Sequence, residues 1–432
     1  MSKKSILLPL VLITSLFFLW ALLHNLNPIL IPHLRKAFAL NDLQSSLIDT
    51  SAYISYFVVA IPAGLFMQRF GYKKGVLLGL SLYALGALLV IPSASARSYL
   101  IFLMAIFIIA AGATFLETVA NPYIAVLGDK ETATQRLNFA QSFNGLGAVI
   151  APIMGGKFIL SGIEHSPEAL AAMDKASLTA YLQSEANTVK VPYLVIAGIV
   201  FALLLLFTVT RLPEGDSDEQ GGASHFNGVH FSFKVFRHRH FSWAVISQFF
   251  YVGAQVGVGS FFIRYAHQVV DMGEKNAAYL FGSIAMVGFM LGRFSGTLLM
   301  KYIKPAKLLA IYGLVCALLL SIAVFTSGSL ALYALVAVPF FMSIMYPTIF
   351  SLGIQGLNQE ETKIASSFLV MSIIGGAIIP LLMGLISVAV HSIQIAYIAP
   401  LICFLTVFCY GWKGHVVRAE SREMGIVNEV AS

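Results

Sequence analysis

The sequence predicts an all-α membrane protein of twelve transmembrane helices in two pseudo-symmetric six-helix bundles. Three observations carry that reading. The chain of 432 residues is 58% hydrophobic and 11% charged, with a mean hydropathy of +0.83. A soluble protein cannot hide that much apolar surface, so lipid is its natural solvent. Apolar runs long enough to cross a hydrocarbon core, about 20 residues, fall near 6–31, 46–68, 75–95, 98–122, 136–160, 191–211, 241–266, 276–299, 307–327, 330–353, 364–389 and 391–412. A polar stretch, RLPEGDSDEQGGASHFNGVHFSFKVFRHRH at 211–240, follows the sixth run. It divides the chain into a first bundle at 1–211, a linker at 212–240 and a second bundle at 241–432.

The first run is too long for a signal-peptide core and has no small-residue cleavage site after it, so it is expected to be retained. It ends in HNLNPILIP (24–32). Pro28 has no amide hydrogen and its ring crowds the carbonyl of His24, which predicts a helix break. FFLW at 17–20 reads as lipid-facing or packing surface. The fourth run places one carboxyl, Glu117, in the bilayer. In the fifth, Gln141 and Asn144 are i and i+3 and share a face. Gly145 and Gly147 beside them allow close helix approach. A polar insert at 161–190 joins runs five and six, and its EALAAMDKASLTAYL portion suits a short surface helix. In the seventh run Gln248, Tyr251 and Gln255 again share one face. In the tenth, Pro347 after Tyr346 loosens the helix locally.

The two halves echo each other. GLFMQRFGYKKGVLLGL (64–80) follows the second run and GRFSGTLLMKYIKPAKLLAI (292–311) follows the eighth. ETVANPYIAVLG (117–128) is loosely matched by SIMYPTIFSLGI (343–354). Repeated halves with a binding site between them mark secondary transporters. Most Lys and Arg lie on the side of the N-terminus. The other side holds Arg35, Lys36, Arg97, Lys157, Lys175, Lys190 and Lys275. That bias predicts both termini in the cytoplasm of a multi-pass plasma-membrane protein, in bacteria the inner membrane. The net charge of +7 is therefore topogenic. It does not point to nucleic acid, and the remaining alternative is attraction to anionic lipid headgroups.

Cys316, Cys403 and Cys409 all fall inside runs and make neither a disulfide framework nor a metal site. No G-x-x-x-x-G-K-[ST] motif is present, so neither ATP nor another cofactor is expected. An ion or substrate gradient would then drive transport. No pair of catalytic groups clusters, which argues against an enzyme. A membrane sensor that binds its ligand without moving it would need a signalling tail longer than GHVVRAESREMGIVNEVAS.

A charge at the bilayer centre costs about 3 kcal/mol on insertion scales. Glu117 must therefore be neutral at rest, paired, or facing water. It is a candidate for proton coupling and ligand binding, against a structural role between helices. Amides offer both donors and acceptors to hydroxyl groups, so Gln141, Asn144, Gln248 and Gln255 suit the polar rim of a hydroxyl-bearing ligand and Tyr251 an apolar face of it. Interhelical bonding is the alternative for each. Arg264 reads as a snorkelling end residue. Asp49 lies near the outer entrance of the second run.

GLFMQRFGYKK fits the loop motif G-x-x-x-D-R-x-G-x-R/K-R/K of the major facilitator superfamily, with Gln68 in the acid's place. FFLWALLHNLNPILIP, FLETVANPYIAVLG, RLNFAQSFNGLGAVIAP, YVGAQ, IRYA, GRFSGT and SSFLVMSIIGG resemble its fucose permease branch, the fucose–galactose–glucose family, over nearly the whole chain. The resemblance implies proton symport of a monosaccharide, first L-fucose and next another hexose or an N-acetylhexosamine, by one chain acting as a monomer. It implies an essential acid at Glu117 and sugar contacts at Asn25, Gln141, Asn144 and Tyr346. The coupling aspartate of that branch falls at Pro28. His24, one turn away, is then a stand-in proton acceptor, since imidazole titrates near pH 6.5. The alternatives are a neutral His24 with uncoupled transport, or coupling to another cation. Gly64, Arg69, Gly71, Lys73, Lys74 and Arg293 form the cytoplasmic gate motif, expected to latch the halves. Gly257 and Gly259 make the seventh helix small-sided, which suggests a roomier pocket.

Overall fold

The computed structural model describes residues 3–24, 38, 42–158, 173–210 and 233–417. Among the described residues, twelve long helices follow one another in sequence order. The first, α1, is Lys3–His24. The helix Asp42–Ser95 is broken at Gly71, where φ is 81° and ψ is 173°. That left-handed φ suits glycine, and the break separates α2 (42–70) from α3 (72–95). Then come α4 (Tyr99–Val126), α5 (Ala133–Phe158) and α6 (Lys190–Val209). The second half holds α7 (Arg239–Val270), α8 (Lys275–Leu299), α9 (Pro305–Phe325), α10 (Ser329–Gly353), α11 (Gln359–Val390) and α12 (Ile393–Gly414). Phe17 and Trp20 are buried, so the aromatic stretch of α1 is packing surface. Most of the linker lies outside the described residues.

The expected surface helix is present as Lys175–Thr188, ahead of α6. Asp174 caps it, accepting from the N–H groups of Ala176 (3.1 Å) and Ser177 (3.3 Å). Hydrogen bonds from the Ser177 side chain and backbone hold the Asp174 carboxyl below the usual carboxylate range.

Glycines set the helix spacing. A Cβ on Gly112 of α4 would lie 2.6 Å from Gly79 O of α3, and one on Gly147 of α5 would lie 2.7 Å from Phe18 O of α1. In the second half, a Cβ on Gly292 of α8 would lie 2.1 Å from Phe340 O of α10. Close approach of this kind is how helices associate in lipid, where apolar surface alone gives no drive.

The halves meet along two seams. In one, α5 faces α8 and α10; in the other, α2 faces α11. The polar contacts that cross them gather toward a single face of the bundle, at the starts of α5 and α11 and the ends of α2, α8 and α10. Thr134 Oγ1 and Ser351 Oγ lie 2.8 Å apart, Gln135 Nε2 donates to Thr297 O at 3.1 Å, and Asn138 Nδ2 donates to Thr348 Oγ1 at 3.1 Å. Across the other seam Gln68 Nε2 donates to Glu360 O at 3.3 Å.

Gly64 sits in that second seam, where a Cβ would lie 1.8 Å from Ser367 Oγ and 3.2 Å from Lys363 O. Gly64→Val is therefore expected to wedge α2 from α11 and shift the protein toward the state opened on this face. Spin-label distances between residues 134 and 351 would lengthen. Gly292→Ala lies within one half, so it should leave that distance distribution unchanged. It should cost about 1–3 kcal/mol, read as earlier thermal unfolding in detergent.

Candidate functional site

Between the seams, polar groups of both halves converge on Glu117. Its helix, α4, is buried almost continuously from Ala110 to Ile124. Glu117 is 7% exposed, and among the described residues no ion pair closes on it. Tyr56 of α2 and Tyr346 of α10 turn their phenols toward its carboxyl, one from each half. Tyr346 Oη is buried and does not complete a hydrogen bond of good geometry.

One turn on, Asn121 Nδ2 donates to Glu117 O at 2.9 Å, and Asn121 Oδ1 accepts from Gln141 Nε2 at 2.9 Å. Gln141 is thereby held to α4. Asn144, half-buried one turn further along α5, turns its Oδ1 to Arg293 Nη1 at 3.1 Å. The same Nη1 donates to the backbone carbonyl of Gln141.

Arg293 belongs to this cluster and not to the surface turn where its motif placed it. Helical rise puts it about 9 Å inside the end of α8, and it is 4% exposed. Its Nε donates to Ser343 O at 2.9 Å, and its guanidinium lies 4.6 Å from the Phe289 ring centroid. Pro347 supplies that acceptor. A proline at 347 has no N–H to return to the carbonyl of residue 343, and α10 is interrupted here between Met342 and Met345. The freed carbonyl takes the arginine instead.

On α7, Gln248 and Tyr251 are fully buried. Gln248 Nε2 and Oε1 and Tyr251 Oη lack hydrogen-bond partners. Gln248 faces Tyr346, and Gln255, two turns along, is half-buried. An unpaired buried polar group costs about 1–3 kcal/mol. The cluster holds a carboxyl, a guanidinium bonded to carbonyl and amide oxygens, several amides and three phenols. It suits a neutral ligand rich in hydroxyl groups.

Other expected residues lie elsewhere. Asn25 and Pro28 are outside the described residues, and so is the side chain of His24, which ends α1. Arg69 is exposed, with its guanidinium 5.2 Å from the Phe70 ring centroid. The seam contact at that end of α2 comes from Gln68. Lys73 Nζ donates to Thr208 O of α6 at 2.8 Å, within its own half, and Lys74 faces the Phe70 ring at 5.6 Å. The glycine faces of α7 give no pocket room: Met383 Sδ fills the side of Gly257, and Phe281 packs on Gly259. Arg264 lies over Phe261 at 4.5 Å and is exposed. Tyr56 and Asn121 were not legible as site residues. Asn121 had a signal, since it stands four residues after Glu117. Tyr56 sits in an apolar run with none.

Residues 11–380 match the Major Facilitator Superfamily. The L-fucose-proton symporter of Escherichia coli (strain K12) is 44% identical over 411 residues, covering 94% of this chain and 93% of its own. The glucose/galactose transporter of Brucella abortus biovar 1 (strain 9-941) is 38% identical over 419 residues, covering 96% of this chain and 95% of its own. A crystal structure of a Major Facilitator Superfamily transporter, FucP, in the outward conformation superposes with a TM-score of 0.86 at 43% identity, over 94% of this chain and 98% of that one. With twelve spans, two facing halves and this match along most of its length, the chain is a multi-pass membrane protein that belongs to the Major Facilitator Superfamily.

Proposed function

We propose that this protein imports a monosaccharide, first L-fucose, together with a proton, by alternating access. The observation that carries the reading is the Glu117 carboxyl held among Tyr56, Tyr346, Asn121 and Gln141, groups from both halves. Sugar hydroxyls satisfy the unpaired atoms of Gln248, Tyr251 and Tyr346, and the phenol rings cover an apolar sugar face. Glu117 takes the proton. The bundle of 1–211 rocks against that of 241–432 about this site, with 212–240 as the tether.

The charge bias puts the closed seams on the cytoplasmic side with both termini. On that reading the seams close the cytoplasmic side, as expected of the outward-facing state of a bacterial inner-membrane carrier. Within that state Arg293 latches the halves, and Gly64, Gly71 and Gln68 allow the α2 end to close. The whole path lies inside one chain, so a single copy suffices. The likeness to a glucose/galactose transporter supports a second reading in which another hexose is the substrate. Counterflow in proteoliposomes with a labelled sugar panel separates the two: L-fucose should exchange fastest, and preference for glucose or galactose would favour the second.

Glu117→Gln removes the titrating group but keeps a hydrogen-bonding side chain. Counterflow should persist, while accumulation driven by a pH gradient should fall to the level without a gradient. Accumulation that survives would place the coupling site elsewhere. His24→Ala tests the second proton site: sugar-driven proton uptake should drop if His24 relays, and should stay intact if Glu117 acts alone. Arg293→Lys loses the planar fork that reaches Ser343 O, Gln141 O and Asn144 Oδ1 together. Removing hydrogen bonds to a charged group costs about 1.5–3 kcal/mol each. Spin-label distances should show the latched state depopulated at least tenfold, and pH-driven uptake should fall with it.

A further inference from the structure

Away from the site, a crevice of about 280 Å³ opens on the flank of the bundle. Phe57 of α2 lines one side, and Val245, Ile246, Phe249 and Phe250 of α7 with Phe368, Met371, Ser372 and Ile374 of α11 line the rest. Both halves therefore contribute. Phe57 is 47% exposed and Ile246 44% exposed, on helices that cross the bilayer. Surface there meets acyl chains and not water.

The crevice has a charged threshold. Just before α7 a short helical turn, Phe233–Arg237, carries Lys234 and Arg237, and Arg239 follows at the start of α7. All three are exposed. Phe236 packs on Phe368 at 4.8 Å between centroids, and Phe233, itself exposed, has its ring 5.9 Å from that of Phe368. Phe368 is itself a wall of the crevice, so the basic turn and the apolar groove are continuous. Helical rise places Val245 to Phe250 about 9–16 Å above Arg239, within the span of one acyl chain. The neighbouring carboxylates are engaged. Glu361 closes the capping box with Asn358 and faces His238 at 3.4 Å, and Glu360 pairs with Lys363 at 3.5 Å. Among the described residues the threshold carries more basic than acidic side chains.

We infer that this crevice is a binding site for one anionic phospholipid, its phosphate at Arg237 and Arg239 and one acyl chain between Phe57 and Phe249. Because the walls come from both halves, an occupying chain stabilises the state in which these walls are so arranged, and it biases the rocking equilibrium by its preference for that state. The inference does not depend on which solute is carried.

The test is photocrosslinking of the full-length protein in nanodiscs, using phosphatidylglycerol or phosphatidylcholine with a diazirine at one acyl terminus. Crosslinks from phosphatidylglycerol should concentrate in peptides containing residues 245–250 and 368–374. They should fall about fivefold for each basic residue removed, as expected for about one headgroup charge contact apiece, in R237Q and R239Q and their combination. Ile246→Trp should narrow the crevice and reduce crosslinking there without altering the basic turn. Equal labelling by phosphatidylcholine would overturn the inference. So would crosslinks spread evenly over lipid-facing stretches such as residues 194–206, or labelling unchanged by both sets of variants.

Discussion

The reach of Arg293 from α8 into the opposite half is the contact on which this arrangement turns. It joins three facts that look separate in the sequence. Pro347 withholds an N–H and leaves Ser343 O exposed; the arginine Nε takes that carbonyl; and the other end of the fork is then aimed at Gln141 O and Asn144 Oδ1. Gly145 makes room for it, since a Cβ there would already touch Arg293 Cδ at 3.7 Å. Gln141 is in turn tied through Asn121 to the backbone of Glu117. A single chain of bonds therefore runs from a proline-broken helix in one half to the buried acid of the other.

The fold was legible because lipid imposes a strict rule. Backbone polar groups in the hydrocarbon must be satisfied inside the protein, in a helical protein almost all within their own helix, so twelve apolar runs could be counted directly. The site was only partly legible. Amides at i and i+3 marked the working face of α5, and the same stripe continues through Thr134 and Asn138, which pair with α10. Arg293 was read two ways: the eighth run, 276–299, already contained it, while its GRF motif, resembling the loop motif of the first half, assigned it to a cytoplasmic turn. The helix extends to Leu299 beyond it, and the run was the better guide to its depth. The α7 glycines misled for a different reason. A missing side chain shows that something comes close without showing what, and here Met383 and Phe281 do. Tyr56 is one aromatic among many in an apolar run, and only the fold reveals that it faces an acid.

The seam chemistry also fits a protein that must come apart. Thr134, Gln135, Asn138 and Gln68 contribute neutral bonds, each worth about 0.5–1.5 kcal/mol. A carboxylate placed against Arg293 across the halves would have made a buried ion pair, and breaking one costs about 3–5 kcal/mol. Carbonyl and amide oxygens hold the guanidinium more weakly. When Gln141 O and Asn144 Oδ1 withdraw, Ser343 O stays with it, since that acceptor belongs to the arginine's own half. The cation is never stripped of every partner.

Glu117 is set up in the complementary way. Its phenol neighbours come from different halves, Tyr56 from its own and Tyr346 from the other. Separation of the halves at this level removes Tyr346 and leaves Tyr56. Arg293 is within electrostatic reach of the same carboxyl without pairing to it. The charge state of Glu117 therefore alters the field felt by the latch, and the position of the latch alters the field felt by Glu117. Two buried charges that are near but not bonded allow a proton on one to change the hold of the other, whereas a closed ion pair would have locked both.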